Sequence, residues 1–295
     1  MATKLDPKSI LGLMDRSVCA PEPGVLHLIA TPIGHLGDLT LRAARCLAEV
    51  DQLYCEDTRV TTKLLSVLGA GRNLISLTEH NEAQRLETLL SALNQGQSVG
   101  LVSDAGTPLL SDPGARVVHA SIEAGHKVVS VPGASAALSA LILSGFPVAP
   151  SIFLGFAERK KGRLADQLAP VARVPASLVL FESPARIAGL LKRLHELLGE
   201  RSVVVARELT KKHETIYRGQ LGQALEVPAR GEMVVVIGPP MVAGVLTGNA
   251  LDAAISELLD AGHRPKAVAK LLAAQAEQRE VYARAVELRT CSQDN

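Results

Sequence analysis

Asp104 directly follows the apolar run SVGLVS (98–103) and precedes Ala105, Gly106, Thr107 and Pro108. A carboxylate at the end of a strand can accept hydrogen bonds from ribose hydroxyls or an amino group. Gly106 lets backbone N–H groups approach a ligand closely, and Thr107 adds a hydroxyl. The competing reading is that Asp104 only caps a turn. Ser111 and Asp112, further along the same loop, read as turn and N-cap residues for a helix starting near Gly114. Similar small, polar turns recur after other apolar runs: TPIGHLGDLT (31–40), EDTR (56–59), EHN (79–81) and PGASAAL (132–138). Glu56, Asp57 and Arg59 put two carboxylates and a cation at one strand end, with His80 and Asn81 close behind in sequence. Neighbouring side chains point in different directions, so at most one of Glu56 and Asp57 faces a ligand. An Arg59–carboxylate clamp holding the loop explains these residues as well as catalysis does. Two basic runs stand apart: Arg159, Lys160, Lys161 and Arg163, and the segment ARELTKKHE (206–214), which carries Arg207, Lys211 and Lys212.

These loops need a scaffold that gathers them. Short apolar runs at 25–31, 52–55, 73–77, 98–103 and 127–131 alternate with helical patterns at 40–50, 82–94 and 114–125. This rhythm predicts a largely parallel sheet covered on both faces, with its loops sharing the carboxyl rim where α/β sheets bind ligands. A second unit follows, with strands at 151–156, 177–181, 202–206, 214–219 and 232–238, a helix at 184–199 and a shorter one near 220–226. The expected organisation is a leader over 1–24, an N-terminal α/β domain over 25–150, a second α/β domain over 151–240, and a linker with a helical tail over 241–295. The tail reads as about three helices. It carries six Lys/Arg against seven Asp/Glu from Thr247 onward, so an RNA grip through Arg264 and Lys266 and a purely structural cap are both open.

Composition narrows the function classes. The chain is 47% hydrophobic and 21% charged, enough for packed cores. Aromatic residues are only 2%, which excludes an RNA platform built from rows of stacking rings. Lys plus Arg total 31 against 30 Asp plus Glu, too balanced for a histone-like phosphate neutraliser. Cys19, Cys46, Cys55 and Cys291 form no CxxC pair and read as reduced thiols, neither a disulfide frame nor a metal site. Lys4, Asp6, Lys8 and Asp15 interrupt any signal-peptide run, so a cytoplasmic protein is expected. The uncharged stretch Val128 to Phe156 is divided by Pro132, Gly133, Pro147 and Pro150, and reads as strand, turn, core helix and strand rather than a membrane span. No GxGxxG or GxxxxGKS occurs, which argues against Rossmann dehydrogenases and P-loop enzymes.

Taken in order, TPIGHLGDLT, EDTR, EHN, SDAGTPLLSDPG, VPGASAAL, FESP, ARELTKKHE and GEMVVVIGP closely resemble the bacterial ribosomal RNA small-subunit methyltransferase I family of the tetrapyrrole-methylase (class III methyltransferase) fold. The resemblance covers about 25–239. It implies two α/β domains with a cofactor cleft and a small helical tail, a homodimer, and S-adenosylmethionine-dependent methylation of a cytidine ribose 2′-hydroxyl in the decoding region of 16S rRNA. It places Pro32, Asp104, Gly106, Thr107, Gly133, Ser135 and Ala136 in the cofactor pocket. A neutral ribose hydroxyl is a poor nucleophile, so a base or cation beside it is useful, and Glu56, Asp57 and Arg59 are the candidates. Arg159, Lys160, Lys161, Lys211 and Lys212 would meet RNA phosphates. The rival readings are a methyltransferase acting on a precorrin or uroporphyrinogen, since fold does not decide substrate, and a non-catalytic ribosome-assembly factor.

Overall fold

The computed structural model describes residue 12 and residues 19–240, 248–273 and 276–291. Most of the expected leader and the start of the expected linker, residues 241–247, lie outside the described residues. The chain divides into two compact units, Met1–Pro239 and Pro240–Asn295.

The first unit holds two five-stranded sheets. In the first, β1 (Val25–Ile29), β2 (Gln52–Cys55), β3 (Ile75–Ser76), β4 (Val99–Val102) and β5 (Lys127–Val131) run in the order β3-β2-β4-β1-β5. Every pairing is parallel. The two-residue alternation of a strand divides their side chains between two cores. Ile29, Leu53, Cys55 and Val102 pack with α1 (Leu41–Glu49) and α2 (Thr58–Val67). Leu26, Tyr54 and Leu101 pack with α3 (Glu82–Asn94) and α4 (Ala115–Glu123) on the other face. Parallel connections carry all five strand-to-helix loops to one rim, as the sequence pattern requires.

α5 (Ala136–Ser144) leaves that rim and packs on the second sheet, where Ala137, Ala140 and Leu141 meet Val179, Val204, Val234 and Val236. This sheet comprises β6 (Ser151–Phe156), β7 (Ser177–Glu182), β8 (Ser202–Arg207), β9 (Thr215–Gln220) and β10 (Met233–Ile237), ordered β6-β7-β10-β8-β9. Only β6 and β7 pair in parallel; the others are antiparallel. α6 (Lys161–Leu168) and α7 (Ile187–Leu198) cover its far face through Leu164, Leu168, Leu190 and Leu194. The uncharged stretch 128–156 is thus shared among β5, α5 and β6. No helix among the described residues is long and apolar enough to cross a membrane.

The second unit contains α8 (Gly248–Asp260), α9 (Pro265–Leu271) and α10 (Gln278–Cys291) around Leu251, Ile255, Val268, Val281 and Ala285. Two elements differ from the sequence expectation. No helix forms at 220–226; a turn there has Gly222 at φ +89°, a left-handed conformation that ends regular structure. Conversely α2, which the sequence pattern does not predict, begins within EDTR at Thr58, started by Asp57, whose carboxylate accepts the Arg59 N–H at 2.8 Å.

Arg201, 1% exposed just before β8, is the largest fully buried side chain among the described residues. Its guanidinium donates to the carbonyls of Gly238, Ala172 and Ala176 at 2.7, 3.4 and 3.2 Å. Replacing it strands these acceptors in a dry environment. Arg201→Ala is expected to lower stability by about 3 kcal/mol, read as a shift of the urea unfolding midpoint.

Candidate functional site

The rim of the first sheet is held together by backbone. Thr31 and Gly106 exchange reciprocal N–H···O bonds of 2.9 and 3.0 Å, a two-residue bridge joining the loops after β1 and β4. Gly106 adopts φ +84°, and a Cβ there would lie 3.1 Å from Ile33 Cγ2, so the bridge needs glycine for both conformation and space. The Thr107 hydroxyl donates to the Ala134 carbonyl at 3.1 Å and ties this loop to the turn after β5. In that turn Gly133 packs so closely on Ala30 that a Cβ would meet it at 2.9 Å. Ser135 then caps α5 by accepting the Leu138 N–H. Gly106, Thr107, Gly133 and Ser135 therefore shape the loops from behind.

Two adjoining cavities open at this rim and share Ile33, Asp104, Ala105 and Glu232. The larger, about 430 Å³, has a wall of Leu110, Ser111, Asp112 and Ala136 from the first sheet's loops, and is closed by Phe181, Glu182, Leu209 and Val234 from the second. The smaller, about 360 Å³, is bounded by Thr31, Pro32 and Gly34, by Val60, Lys63 and Val67 of α2, and by Lys211. The segment ARELTKKHE supplies the opposite wall. Thr210 Oγ accepts the His35 N–H at 3.0 Å, and a Cβ on Gly34 would stand 2.5 Å from Lys211 Cγ.

Carboxylates dominate the rim. Asp104 Oδ1 accepts the Asp57 backbone N–H at 3.0 Å, joining the loops after β2 and β4. Burial raises the Asp104 pKa, opposed by that N–H. Burial also raises Glu56, reinforced by the charges of Asp112, Asp104, Glu79 and Asp57. Asp112 is pushed up to about 6, chiefly by burial. Asp57 is the opposite case: Arg59 binds it through Nε and NH2 and holds it at about 2. Asp57 and Arg59 form the clamp that was one of the two sequence readings, while Glu56 carries no such partner. None of the three lines either cavity.

Asp112 is not an N-cap. Gly114 occupies that position, and the α4 N–H groups of Arg116 and Val117 donate instead to Glu82, a buried carboxylate from α3. Lys211 is no free surface cation either; its ammonium contacts Glu208 and Glu232 at 3.1 and 3.0 Å. Lys212 is exposed. Arg159, Lys160 and Lys161 are exposed where α6 begins, line neither cavity, and include the pair Lys161–Glu196 at 2.7 Å. Sequence reasoning missed Ile33, Glu182 and Glu232 as cavity walls; the last two sit in FESP and GEMVVVIGP, whose spacing gives no sign of which loops face one another.

A profile of the Tetrapyrrole (Corrin/Porphyrin) Methylases matches residues 25–225. A protein from Mesorhizobium japonicum named ribosomal RNA small subunit methyltransferase I is 46% identical over 226 residues, 74% of this chain and 76% of that one. The chain belongs to the ribosomal RNA small subunit methyltransferase I family of tetrapyrrole methylases. A protein of the same name from Neisseria meningitidis serogroup B is 43% identical over 222 residues, 73% of this chain and 76% of its own. Among solved structures, the cobalt precorrin-4 methyltransferase shares the fold with a TM-score of 0.53 at 17% identity, over 73% of this chain and 95% of that one.

Methyltransferases of this family use S-adenosylmethionine. The residues present fit that cofactor. The larger cavity lies within the size range of small-molecule sites. Its apolar walls at Ile33, Ala136, Leu209 and Val234 suit a ring, and its carboxylates Asp104 and Asp112 complement a sulfonium or ammonium charge. For Asp112 the folded-state pKa of about 6 lies above the ordinary 3.8. Between about pH 4 and pH 6 the folded chain therefore binds a proton that the unfolded chain has released, and stability falls as pH rises through that window. Asp112→Asn is expected to flatten this part of the profile, measured by urea unfolding at half-unit pH steps.

Proposed function

We propose that this chain is an S-adenosylmethionine-dependent rRNA methyltransferase that modifies the ribose 2′-hydroxyl of a cytidine in the decoding region of 16S rRNA, in the cytoplasm and on the small ribosomal subunit. The observation that carries methyl transfer is the wall shared by the two cavities at Asp104, Ala105 and Glu232. In-line displacement requires donor and acceptor side by side in a fixed relation. We assign the cofactor to the larger cavity and the acceptor ribose to the smaller. The names of the curated relatives support rRNA as the acceptor.

Bound S-adenosylmethionine supplies an electrophilic methyl group on sulfur. Asp104, Asp112 and Ala136 would hold it from the first sheet's loops, with Pro32 beside the acceptor; Gly106, Thr107, Gly133 and Ser135 keep those loops in shape. The hydroxyl must lose a proton as oxygen is methylated. Asp57 and Arg59 hold each other, so of the three candidates only Glu56 is left as a base, half-buried and raised in basicity; it lines neither cavity, and this role requires the acceptor ribose to reach past the wall of the smaller one. Lys211, fixed by Glu208 and Glu232 at the smaller cavity, places a positive charge beside the acceptor. Arg159, Lys160 and Lys212 are exposed cations suited to phosphates outside the cleft. A homodimer would bury the exposed row Leu138, Ile142 and Val148 on and just after α5.

Incubation of the protein with 30S subunits and methyl-labelled S-adenosylmethionine should give label in rRNA that digests to 2′-O-methylcytidine. Label transferred to uroporphyrinogen and not to 30S subunits would overturn the assignment in favour of a tetrapyrrole substrate. Asp104→Ala should raise the cofactor Kd by roughly 5- to 100-fold, the loss of one or two buried hydrogen bonds, in calorimetry. Glu56→Gln should lower kcat by about 10²–10⁴-fold while leaving the cofactor Kd within about twofold. An unchanged kcat would remove Glu56 from the proton path.

A further inference from the structure

The helical unit has a near-even charge count, yet its charges are segregated. A cavity of about 470 Å³ between α9 and α10 is lined by Lys266, Ala269, Lys270, Gln278, Arg279 and Tyr282. It contains three cations and no carboxylate. Lys266 and Lys270 stand one helical turn apart on α9 and so share a face. All three cations are exposed, and no carboxylate among the described residues pairs with them. Two acids of the unit, Asp252 on α8 and Glu280 on α10, are taken up by Arg284.

The same cavity holds the one exposed tyrosine. Tyr54 is fully buried and Tyr217 half-buried, but Tyr282 is 49% exposed. In a chain with 2% aromatic residues and no tryptophan, this leaves a ring open to a partner beside the three cations. Three unpaired cations supply phosphate contacts, the ring supplies a stacking surface for a base, and the Gln278 amide offers a donor and an acceptor for a base edge. An acidic protein segment would use the cations but leave the ring without a flat partner.

We propose that the α9–α10 groove is an RNA-docking site that takes a single-stranded stretch, with phosphates on Lys266, Lys270 and Arg279 and a base on Tyr282. The proposal extends the reading of this chain as an rRNA methyltransferase by giving the helical unit a share in substrate capture. It also explains how a nearly neutral chain holds RNA: through local groups of unpaired cations rather than net charge.

The test uses the full chain and a fluorescein-labelled 20-nucleotide single-stranded RNA, titrated at several salt concentrations. The triple variant Lys266→Gln/Lys270→Gln/Arg279→Gln should weaken RNA binding and reduce the log–log salt slope by about two units, three contacts at about 0.7 each. Tyr282→Leu should weaken binding about 5- to 100-fold, with Tyr282→Phe retaining most of the affinity. Cofactor Kd should stay within twofold in every variant, which shows that the first unit remains folded. Unchanged affinity and slope in the triple variant would overturn the proposal. So would loss of binding to a polyglutamate peptide with RNA binding intact, which would make the groove a site for an acidic protein. Because the readout is binding, wild-type protein that binds RNA through this groove but transfers no methyl to 30S subunits supports the docking site while removing the methylation reading.

Discussion

Two backbone hydrogen bonds between Thr31 and Gly106 bring the ends of β1 and β4 into one rigid rim, and the geometry of both cavities follows from them. With those loops joined, Ile33 projects into the apolar layer between α5 and the second sheet, while Asp104 stays at the junction of the cavities. Backbone groups suit this task because they are present whatever the side chains, and pairing them satisfies donors that would otherwise be buried unmet. The Asp57 N–H to Asp104 and the Thr107 hydroxyl to Ala134 extend the same network to the loops after β2 and β5. The site is therefore assembled from four loops that hydrogen bonds fasten to one another.

Strain is concentrated on the two segments that face each other. Leu109 and Ser111 on one side, and Glu208 and Thr210 on the other, adopt φ between +52° and +75° without being glycine. Such conformations persist only where surrounding contacts over-determine them. Here the support is visible. Glu208 donates its N–H to the Glu232 carbonyl and accepts the Glu232 N–H, and Glu214 accepts the Thr210 N–H at 2.6 Å. Gly155, at φ +68°, leaves room for the Ser111 hydroxyl. The same contacts that hold the strained backbone fix Lys211, so its charge is positioned rather than swept through solvent.

Three carboxylates at the rim share one electrostatic tendency. Glu56, Asp104 and Asp112 are all less acidic than usual because burial and mutual repulsion disfavour their charged forms. A cationic ligand beside them would offset their mutual repulsion, which is the physical reason for the proposal that this pocket takes a sulfonium cofactor. RNA carries the opposite charge, and its candidate contacts Arg159, Lys160 and Lys212 are exposed, as are the three cations of the helical unit's groove.

The sequence by itself determined most of the elements, the helix after β2 and the turn at 220–226 excepted, and the rim. Parallel strands with continuous apolar runs must be covered on both faces, and their loops must emerge at one end, so TPIGHLGDLT, EDTR, SDAGTP and PGASAAL were bound to meet. It also determined that Gly106 and Gly133 allow close approach, a property of the residue type itself. Tertiary structure decided which groups face the cavities. Lys211 and Lys212 are neighbours in one basic run, yet one is held by two carboxylates inside the cleft and the other faces solvent. Asp112 resembles a helix cap in its local sequence, but Glu82 from another helix takes that task and leaves Asp112 to the cavity. Local patterns record spacing along the chain, whereas hydrogen-bond partners, burial and pKa depend on residues far away in sequence, and those are set only when the two sheets close on one another.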